Sequence, residues 1–412
     1  MNHVTCLGCG CACDDITVVV QGGAIAETIN ACSLGRSWFG DGKVPREVRS
    51  DGQPVPLERA IGHAATLLAT ARRALVYLAP EITSETQRAA VAIADRLGAA
   101  LDSPTSEIAE GILAAQRRGR AGATLGEIRQ RADLIVFWGM DPALRYPRYI
   151  SRYAVEPVGI QTPDGRHSRR VVAIDVGRCR GPDDADERIA ITPVEEVDAL
   201  GAMRAAVLGR ATSGSPWSGV EDLARRMAQG RYAVIVHDAE RSELGPDPDR
   251  TEALIALAQA LNGPSRCALS SLRAGGNRSG ADLVLTWQSG YPMAVDFAPG
   301  YPCYRPRDGA AAWLARREFD AALVVGSATG LPSAVADGLA AVSTVVIGPG
   351  ASAAPFNPVV AVDTGVAGIH ESGTAFRMDD VPLPLRAALQ GAAHPLSALI
   401  VVRALAERLA GR

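Results

Sequence analysis

The sequence predicts an α/β protein in which two doubly wound domains with mostly parallel sheets follow a small N-terminal cysteine-rich β module. Short, continuously apolar segments such as ALVYLAP (74–80) alternate with helix-like segments such as ETQRAAVAIADRLG (85–98). Apolar strands separated by helices are typical of parallel sheets that are covered on both faces. The length of 412 residues and the hydrophobic content of 47% are sufficient for two or three domains. Five of the eight cysteines lie within the first 32 residues, which sets the N-terminal module apart.

The predicted elements alternate regularly along the chain. Residues 1–52 form the N-terminal module, in which ITVVVQGGAIAET is predicted to be a hairpin that turns at Gly22-Gly23. Residues 53–212 form the first α/β domain, residues 213–412 form the second with a C-terminal return segment, and residues 210–231 join the two. The strand-like segments are 74–80, 133–142, 170–178, 232–240, 320–330 and 343–350, and the helix-like segments are 60–73, 85–98, 197–209 and 250–263.

Charge and hydropathy argue against two classes of partner. A formal net charge of −3 gives no sign of a nucleic-acid-binding protein. No segment approaches the roughly 20 consecutive apolar residues that span a bilayer, so no membrane partner is expected. The N-terminus is polar and cysteine-rich, unlike a signal peptide, and a cytoplasmic location is therefore expected. Thiols stay reduced there, and clustered cysteines more often bind metal than form disulfides.

The N-terminal cysteines form a candidate metal site. Cys6, Cys9, Cys13 and Cys32 supply three thiolates from one tight loop and a fourth from a distant turn. Four converging thiolates on a glycine-rich loop suit a 4Fe-4S cluster. A zinc ribbon is the rival interpretation, but it requires a second CxxC pair, and ACSLG around Cys32 contains one cysteine. In a third interpretation these thiols bind nothing, and Cys11 is expected to lie outside any ligand set.

This cysteine spacing resembles the N-terminal cluster module of the molybdopterin oxidoreductase superfamily, and longer segments narrow the resemblance. TLGEIRQRADLIVFWGMDPALRYPRYISRY (124–153), LTWQSGYPMAVDFAPGYPCY (285–304) and GIHESGTAFRMDDVPL (368–383) resemble the B subunit of formylmethanofuran dehydrogenase. Since these segments occur in both halves, the resemblance covers nearly the whole chain. It implies a molybdopterin oxidoreductase-like fold that lacks the C-terminal β-barrel domain.

The resemblance also implies where a catalytic metal would be held. In this family, the B subunit holds tungsten or molybdenum through two pterin guanine dinucleotides and a Cys or selenocysteine ligand, followed by a catalytic His. That pair precedes the TLGE segment, where this chain reads LDSPTSEIAEGILAAQ (101–116), without Cys or His. Ile108 and Ala109 stand near the two positions, and Ser106 or Glu107 is the candidate for an oxygen ligand in their place. A bound molybdopterin with molybdenum or tungsten is therefore not expected.

Three functions remain open at this point. The first is a non-redox B subunit of the formyltransferase/hydrolase complex of aerobic methylotrophs, a relative of the dehydrogenase that serves formaldehyde oxidation. That complex passes a formyl group from tetrahydromethanopterin to a methanofuran-like carrier and hydrolyses it to formate, and this chain would scaffold its A-, C- and D-type partner subunits. The second is a catalytic molybdenum or tungsten subunit that interconverts carbon dioxide and formate. The third is another cytoplasmic iron–sulfur or zinc protein.

Several further residues invite a functional interpretation. Asp175 ends the strand RVVAIDVGR, where the family contacts a guanine dinucleotide, although a turn aspartate is the commoner case. The loop RAGGNRSGAD (273–282) suits either an anion site or an ordinary surface turn, and Arg273 falls near a family active-site arginine. His370, beside Glu371, is expected to be a solvent-facing loop residue rather than a catalytic one. The aromatic segment GYPMAVDFAPGYPCY is expected to contact partner subunits or to close a cavity.

Overall fold

The fold is given by a computed structural model that describes residues 1–210, 214–240, 247–389 and 395–411. The described residues divide into two compact units. The larger unit comprises Met1–Glu107 and Gly275–Arg412, and the smaller unit comprises Ile108–Ala274. The smaller unit is thus inserted into the sequence of the larger one.

The strands and helices follow each other in the alternation that the sequence predicts. The strands are β1 (Thr17–Gln21), β2 (Ala24–Ile29), β3 (Val48–Ser50), β4 (Gln53–Pro54), β5 (Ala74–Leu78), β6 (Ala100–Asp102), β7 (Leu134–Trp138), β8 (Arg170–Val176), β9 (Glu187–Ile191), β10 (Ala233–Asp238), β11 (Cys267–Leu272), β12 (Val295–Asp296), β13 (Cys303–Tyr304), β14 (Ala321–Val325), β15 (Ser343–Gly348), β16 (Val360–Asp363), β17 (Gly373–Phe376) and β18 (Pro382–Leu385).

The α-helices are α1 (Ser33–Phe39), α2 (Leu57–Thr70), α3 (Ser84–Leu97), α4 (Glu110–Arg118), α5 (Leu125–Arg131), α6 (Glu196–Val207), α7 (Ser218–Gln229), α8 (Pro248–Leu261), α9 (Arg278–Ser289), α10 (Ala310–Ala315), α11 (Ser333–Leu339) and α12 (Ala398–Ala410). Helix α3 shows how local sequence sets the boundaries. The Thr83 side chain accepts a hydrogen bond from the Thr86 N–H at its start, and Gly98 ends it in a left-handed conformation. Short 3-10 helices occupy Pro104–Ile108, Gly165–Ser168, Pro193–Glu195 and Ala351–Ala353, and a π-helical turn occupies Ile150–Ala154.

The sheet of the larger unit has the strand order β13–β12–β6–β5–β14–β15–β16–β3–β4. Its central strands β6, β5, β14, β15 and β16 run parallel, and antiparallel strands flank them. Buried residues of α2, α3, α9 and α12 pack with the sheet in one apolar core. Buried parallel strands covered by helices confirm the predicted α/β class.

The sheet of the smaller unit has the order β11–β10–β7–β8–β9, and these neighbours pair in parallel. Buried residues of α6, α7 and α8 form a core with it. Within the described ranges, no helix of either unit is long and apolar enough to cross a membrane.

The compact units differ from the predicted division into 1–52, 53–212 and 213–412. Strand β14 pairs in parallel with β5, with Val325 opposite Leu78, so segments assigned to different predicted domains share one sheet. The predicted join 210–231 contributes α7 to the core of the smaller unit, and its residues 211–213 lie outside the described part of the chain. The boundary at residue 52 falls within the hairpin of β3 and β4. Alternating elements do not reveal which distant strands pair, and this pairing decides the units.

Two smaller predictions have different outcomes. The hairpin of β1 and β2 is present, and Gly22 and Gly23 turn it with positive φ angles. In the aromatic segment, by contrast, Met293 and Val295 are fully buried, and β12 and β13 extend the sheet. Residues 292–297 of this segment therefore belong to the core, while Tyr301 stays 63% exposed.

Candidate functional site

The cysteine loop is drawn together by its own backbone. The Cys6 N–H donates to the Cys13 carbonyl over 2.9 Å, and the Ala12 N–H donates to the Cys9 carbonyl over 3.1 Å. Cys32 lies at the start of α1 as its N-cap residue. The fold therefore brings the fourth cysteine to the loop that holds the other three.

The sulfur atoms of Cys6 and Cys32 line one space. A side-chain carbon added at Gly35 would lie 3.3 Å from the Cys6 sulfur and 3.8 Å from the Cys32 sulfur. Backbone N–H groups of Gly8 and Gly35 donate to these two sulfurs over 3.4 Å each. Burial, with smaller contributions from the neighbouring thiols Cys9, Cys13 and Cys32, raises the pKa of the Cys6 thiol far above its usual range.

The donor set does not form a ready site for a single zinc ion among the described residues. Thiolates lie only about 2.3 Å from a zinc ion, so a zinc site brings its sulfurs close together. Among the residues that the structure describes, no three Cys, His, Asp or Glu side chains converge in this way. An iron–sulfur cube spreads its four thiolates more widely and takes hydrogen bonds to sulfur, as Cys6 and Cys32 accept here. All eight cysteines are thiols in this structure.

Cys11 lies in the same loop with a different environment. Its side chain is fully buried, and a hydrogen bond with Cys9 is the main cause that raises the pKa of its thiol. The positive charge of Arg377 is near enough to oppose that rise. The Arg377 guanidinium itself pairs with the Asp379 carboxylate over 2.7 Å. Cys11 thus faces the Arg377 side of the loop.

The glycine-rich loop 273–282, a candidate anion site on sequence grounds, contacts the cysteine loop. The Gly276 N–H donates to the Leu7 carbonyl over 2.8 Å. A side-chain carbon at Gly275 would lie 2.1 Å from that carbonyl oxygen and 2.7 Å from the Cys9 nitrogen, so only glycine permits this approach. In the described structure, these glycines support the cysteine loop. Arg273 belongs to the smaller unit.

The segment where the family places its metal ligand follows β6. Ser103 leads into the 3-10 helix Pro104–Ile108, and Ala109 precedes α4. The Ser106 hydroxyl donates to Oδ2 of Asp102 over 2.7 Å, and the Thr105 hydroxyl donates to Oδ1 of Asp282 over 2.5 Å. Both hydroxyls thus donate hydrogen bonds to carboxylates of the protein. Ile108 and Ala109 carry no group that can bind a metal.

Asp102 is the centre of this segment. Its side chain is fully buried, and burial raises its pKa to about 6. Hydrogen bonds from Ser106 and from the N–H groups of Ala310 (2.6 Å) and Ala294 (3.1 Å) oppose the rise. The carboxylate therefore ties the end of β6 to two distant segments of the larger unit.

A narrow crevice lies beside this segment, at the carboxyl ends of β5 and β6. It has a volume of about 180 Å³ and is too narrow for a water molecule. Leu78, Ser103, Thr105 and Asn277 are among the residues that line it. The side chains here are packed against one another.

Asp175 is occupied by the protein's own groups. It is 7% exposed, accepts a hydrogen bond from the Gly181 N–H over 2.9 Å, and pairs with Arg188 over 2.5 Å. Arg188 also donates to the Pro182 carbonyl over 2.6 Å. The geometry supports the turn-stabilising interpretation of Asp175, because the carboxylate closes the loop that follows β8.

His370 and Glu371 are buried, contrary to the expectation of a solvent-facing loop. The Val366 N–H donates to Nδ1 of His370 over 3.1 Å, so Nε2 carries the proton that reaches the Gly42 carbonyl over 2.8 Å. Glu371 accepts a hydrogen bond from the Ala398 N–H at the start of α12. Burial raises the pKa of Glu371 to about 7. Both ring nitrogens of His370 and the Glu371 carboxyl therefore have structural partners.

The chain resembles known proteins over almost its full length, although it matches no protein-family model. It is 31% identical over 405 residues to the B subunit of the tungsten-containing formylmethanofuran dehydrogenase 2 of Methanocaldococcus jannaschii, a match that covers 94% of this chain and 93% of the relative. It is 28% identical over 427 residues to the protein of the same name in Methanococcus maripaludis, with 99% and 98% covered.

A solved structure shares the fold. One chain of the formyltransferase/hydrolase complex (FhcABCD) from Methylorubrum extorquens, solved in complex with methylofuran, superposes with a TM-score of 0.72 at 24% identity. The match covers 88% of this chain and 99% of that chain.

Proposed function

Because the chain belongs to the family of the formylmethanofuran dehydrogenase B subunit, we propose that it is the non-redox B subunit of a formyltransferase/hydrolase complex in one-carbon metabolism. In this proposal, A-, C- and D-type partner subunits pass a formyl group from tetrahydromethanopterin to a methanofuran-like carrier and release formate. This chain scaffolds them in the cytoplasm. Formyl transfer and hydrolysis move no electrons, so the complex needs no metal site in this chain.

The observation that carries the proposal is the segment after β6. The family resemblance places a thiolate and an imidazole there, and this chain has Ile108 and Ala109 near those positions. No cysteine occurs between Cys32 and Cys179. The hydroxyl of Ser106, a candidate to replace the thiolate, donates to Asp102. The residues present do not fit a pterin-bound metal, and no reaction step is assigned to one.

The alternative is a catalytic molybdenum or tungsten subunit that interconverts carbon dioxide and formate. It draws support from the two relatives, whose names include tungsten. It would require Glu107 or Ser106 to act as an oxygen ligand in place of the family's sulfur or selenium ligand. A rearranged Ser106 would leave the buried Asp102 carboxylate without one of its hydrogen bonds, which is costly.

Elemental analysis of the purified native complex separates the two functions. We expect much less than one molybdenum or tungsten atom per chain, together with formate release from the formylated carrier. One molybdenum or tungsten atom per chain, with formate oxidation by an electron acceptor, would overturn the proposal. The iron content measured in the same samples shows whether the cysteine site is occupied by iron.

We further propose that Cys6, Cys9, Cys13 and Cys32 hold a 4Fe-4S cluster with a structural role. Such a cluster supplies one-electron transfer in redox proteins. Here the loop hydrogen bonds, the N–H groups directed at sulfur and the close approach of Gly275 prepare the four thiols for binding. Binding to iron would favour the thiolate form of Cys6, which burial disfavours.

A further inference from the structure

A second, unassigned cavity lies within the smaller unit, beside the amino ends of its strands. It is open, has a volume of about 920 Å³, and is lined by the four arginines Arg120, Arg131, Arg231 and Arg266. Ligands of open α/β sheets usually bind at the carboxyl ends of the strands. This cavity lies at the other end of the strands, and no residue of the segment 101–116 lines it.

The sequence places three of these arginines in equivalent positions. Arg131 ends α5 just before β7, Arg231 precedes β10 by two residues, and Arg266 directly precedes β11. Because β7, β10 and β11 are parallel neighbours, the residues that precede them meet at one edge of the sheet. The parallel pairing thus concentrates positive charge at this edge, although the whole chain has a net charge of −3.

The polar side chains of the wall are held by the protein itself. Asn262 donates to the carbonyls of Ala258 (2.7 Å) and Cys267 (2.6 Å), and Gln259 donates to the Arg118 carbonyl over 2.5 Å. The Tyr232 hydroxyl is hydrogen-bonded to Glu127, the one acidic residue of the lining. These bonds build a fixed wall around the arginines.

The positive charge is only partly balanced. Arg231 pairs with Asp133 over 3.1 Å. Arg131 and Arg266, both exposed, form no hydrogen bond or ion pair through their side chains with any residue that the structure describes. Guanidinium groups bind phosphate and carboxylate through paired hydrogen bonds. The cavity is larger than a single phosphate or carboxylate group, so it has room for a larger ligand.

We propose that this cavity binds a small molecule that carries two or more phosphate or carboxylate groups. Arg131 and Arg266 bind the anionic oxygens directly, and Arg120 and Arg231 add to the attraction from the rim. The proposal is independent of the function of the metal-site segment, since no residue of 101–116 lines the cavity.

The test is calorimetric titration of the full chain with pyrophosphate and, separately, with citrate at matched ionic strength. We expect saturable binding of at least one of them, and the preferred probe distinguishes a phosphate ligand from a carboxylate ligand. In an Arg131→Gln/Arg266→Gln variant the Kd should rise at least about tenfold, because two charged hydrogen-bond donors are lost. The melting temperature should change little, since neither side chain forms a hydrogen bond or an ion pair with a residue that the structure describes.

A charge-matched control separates a site from general attraction. Arg96→Gln/Arg204→Gln removes two exposed arginines on α3 and α6, away from the cavity lining, and should leave the Kd unchanged. An equal rise of the Kd in the control variant would mean that the anion is attracted nonspecifically, and it would overturn the proposal. Absence of saturable binding by both probes would also overturn it, and the cavity would then be a docking surface for an acidic partner segment at most.

Discussion

The hydroxyl of Ser106 donates a hydrogen bond to Oδ2 of Asp102 over 2.7 Å, within the segment where the resemblance to the family places a metal ligand. This contact turns a side chain that could replace the missing thiolate into a support for a fully buried carboxyl group. The same carboxyl group accepts from the backbone N–H groups of Ala294 and Ala310. The segment has therefore become part of the packing of the larger unit.

Replacing Ser106 with alanine is expected to reduce stability in a pH-dependent way. Burial raises the pKa of Asp102 to about 6, so the carboxyl is mainly charged at pH 8 and mainly protonated at pH 5. The hydrogen bond stabilises the charged form, and its loss should cost about 1–3 kcal/mol at pH 8 and less at pH 5. Urea unfolding at both pH values measures the difference.

The control for this variant is Ser333→Ala, at an exposed position at the start of α11. It should change stability by less than about 0.5 kcal/mol at either pH. If Ser106→Ala left stability intact but removed molybdenum or tungsten from the complex, Ser106 would be a metal ligand, and the structural interpretation would be wrong.

Glu371 is expected to make the larger unit less stable as the pH rises from about 4.5 to 7. Burial raises its pKa from the usual 4.5 to about 7, so the folded state retains a proton that the unfolded state has lost. That stabilisation is complete below pH 4.5 and is lost as the pH rises through 7, a change on the order of 3 kcal/mol. Asp102 contributes in the same direction.

In Glu371→Gln this part of the pH dependence should disappear, because glutamine keeps an oxygen acceptor for the start of α12 and does not titrate. Denaturant unfolding between pH 4.5 and 8 provides the measurement. The control is Glu407→Gln, at an exposed position on α12. Its free energy of unfolding should depend on pH as that of the unchanged protein does. If the free energy of unfolding of Glu371→Gln fell with pH as steeply as that of the control, Glu371 would not be the source of this pH dependence.

Asp175 offers a direct comparison of a structural and a nucleotide-binding role. Asp175→Asn removes the charge that pairs with Arg188, whose side chain is only 26% exposed, and should cost about 2 kcal/mol of stability. The matched control is Asp183→Asn, because Asp183 faces the same arginine at 3.8 Å but is 98% exposed. The control should change stability by less than about 0.5 kcal/mol. If Asp175→Asn instead released a bound guanine nucleotide without loss of stability, Asp175 would have the nucleotide-binding role that the family resemblance implies.

The sequence predicts local structure well and long-range pairing poorly. Apolar segments such as 74–80 and 320–330 identify the buried strands, but their alternation does not show that Leu78 lies opposite Val325 across one sheet. Strand pairing of this kind depends on the whole chain, since each strand can be buried equally well in several positions. For this reason the local pattern does not predict the division into two units.

The candidate sites show the same limit. The four cysteines are visible because thiolate spacing is a local pattern, whereas the partners of Asp175 and Ser106 become visible only once the loops are folded. The arginine cavity has a weaker signal in the sequence, a basic residue just before each of three apolar strands, at 131, 231 and 266. That signal gains meaning only when these strands are known to be neighbours.

The cysteine loop provides a final prediction with a control in the same loop. If a 4Fe-4S cluster is bound, the unchanged chain should contain about four iron atoms and show a broad brown absorbance. Cys6→Ser should lose both, because its sulfur shares a space with that of Cys32 beside Gly35. Cys11→Ser should retain both, since Cys11 faces the Arg377 side of the loop. Iron loss in both variants would place Cys11 in the ligand set. An iron-free unchanged chain, purified without oxygen, would show that the four thiols bind no cluster.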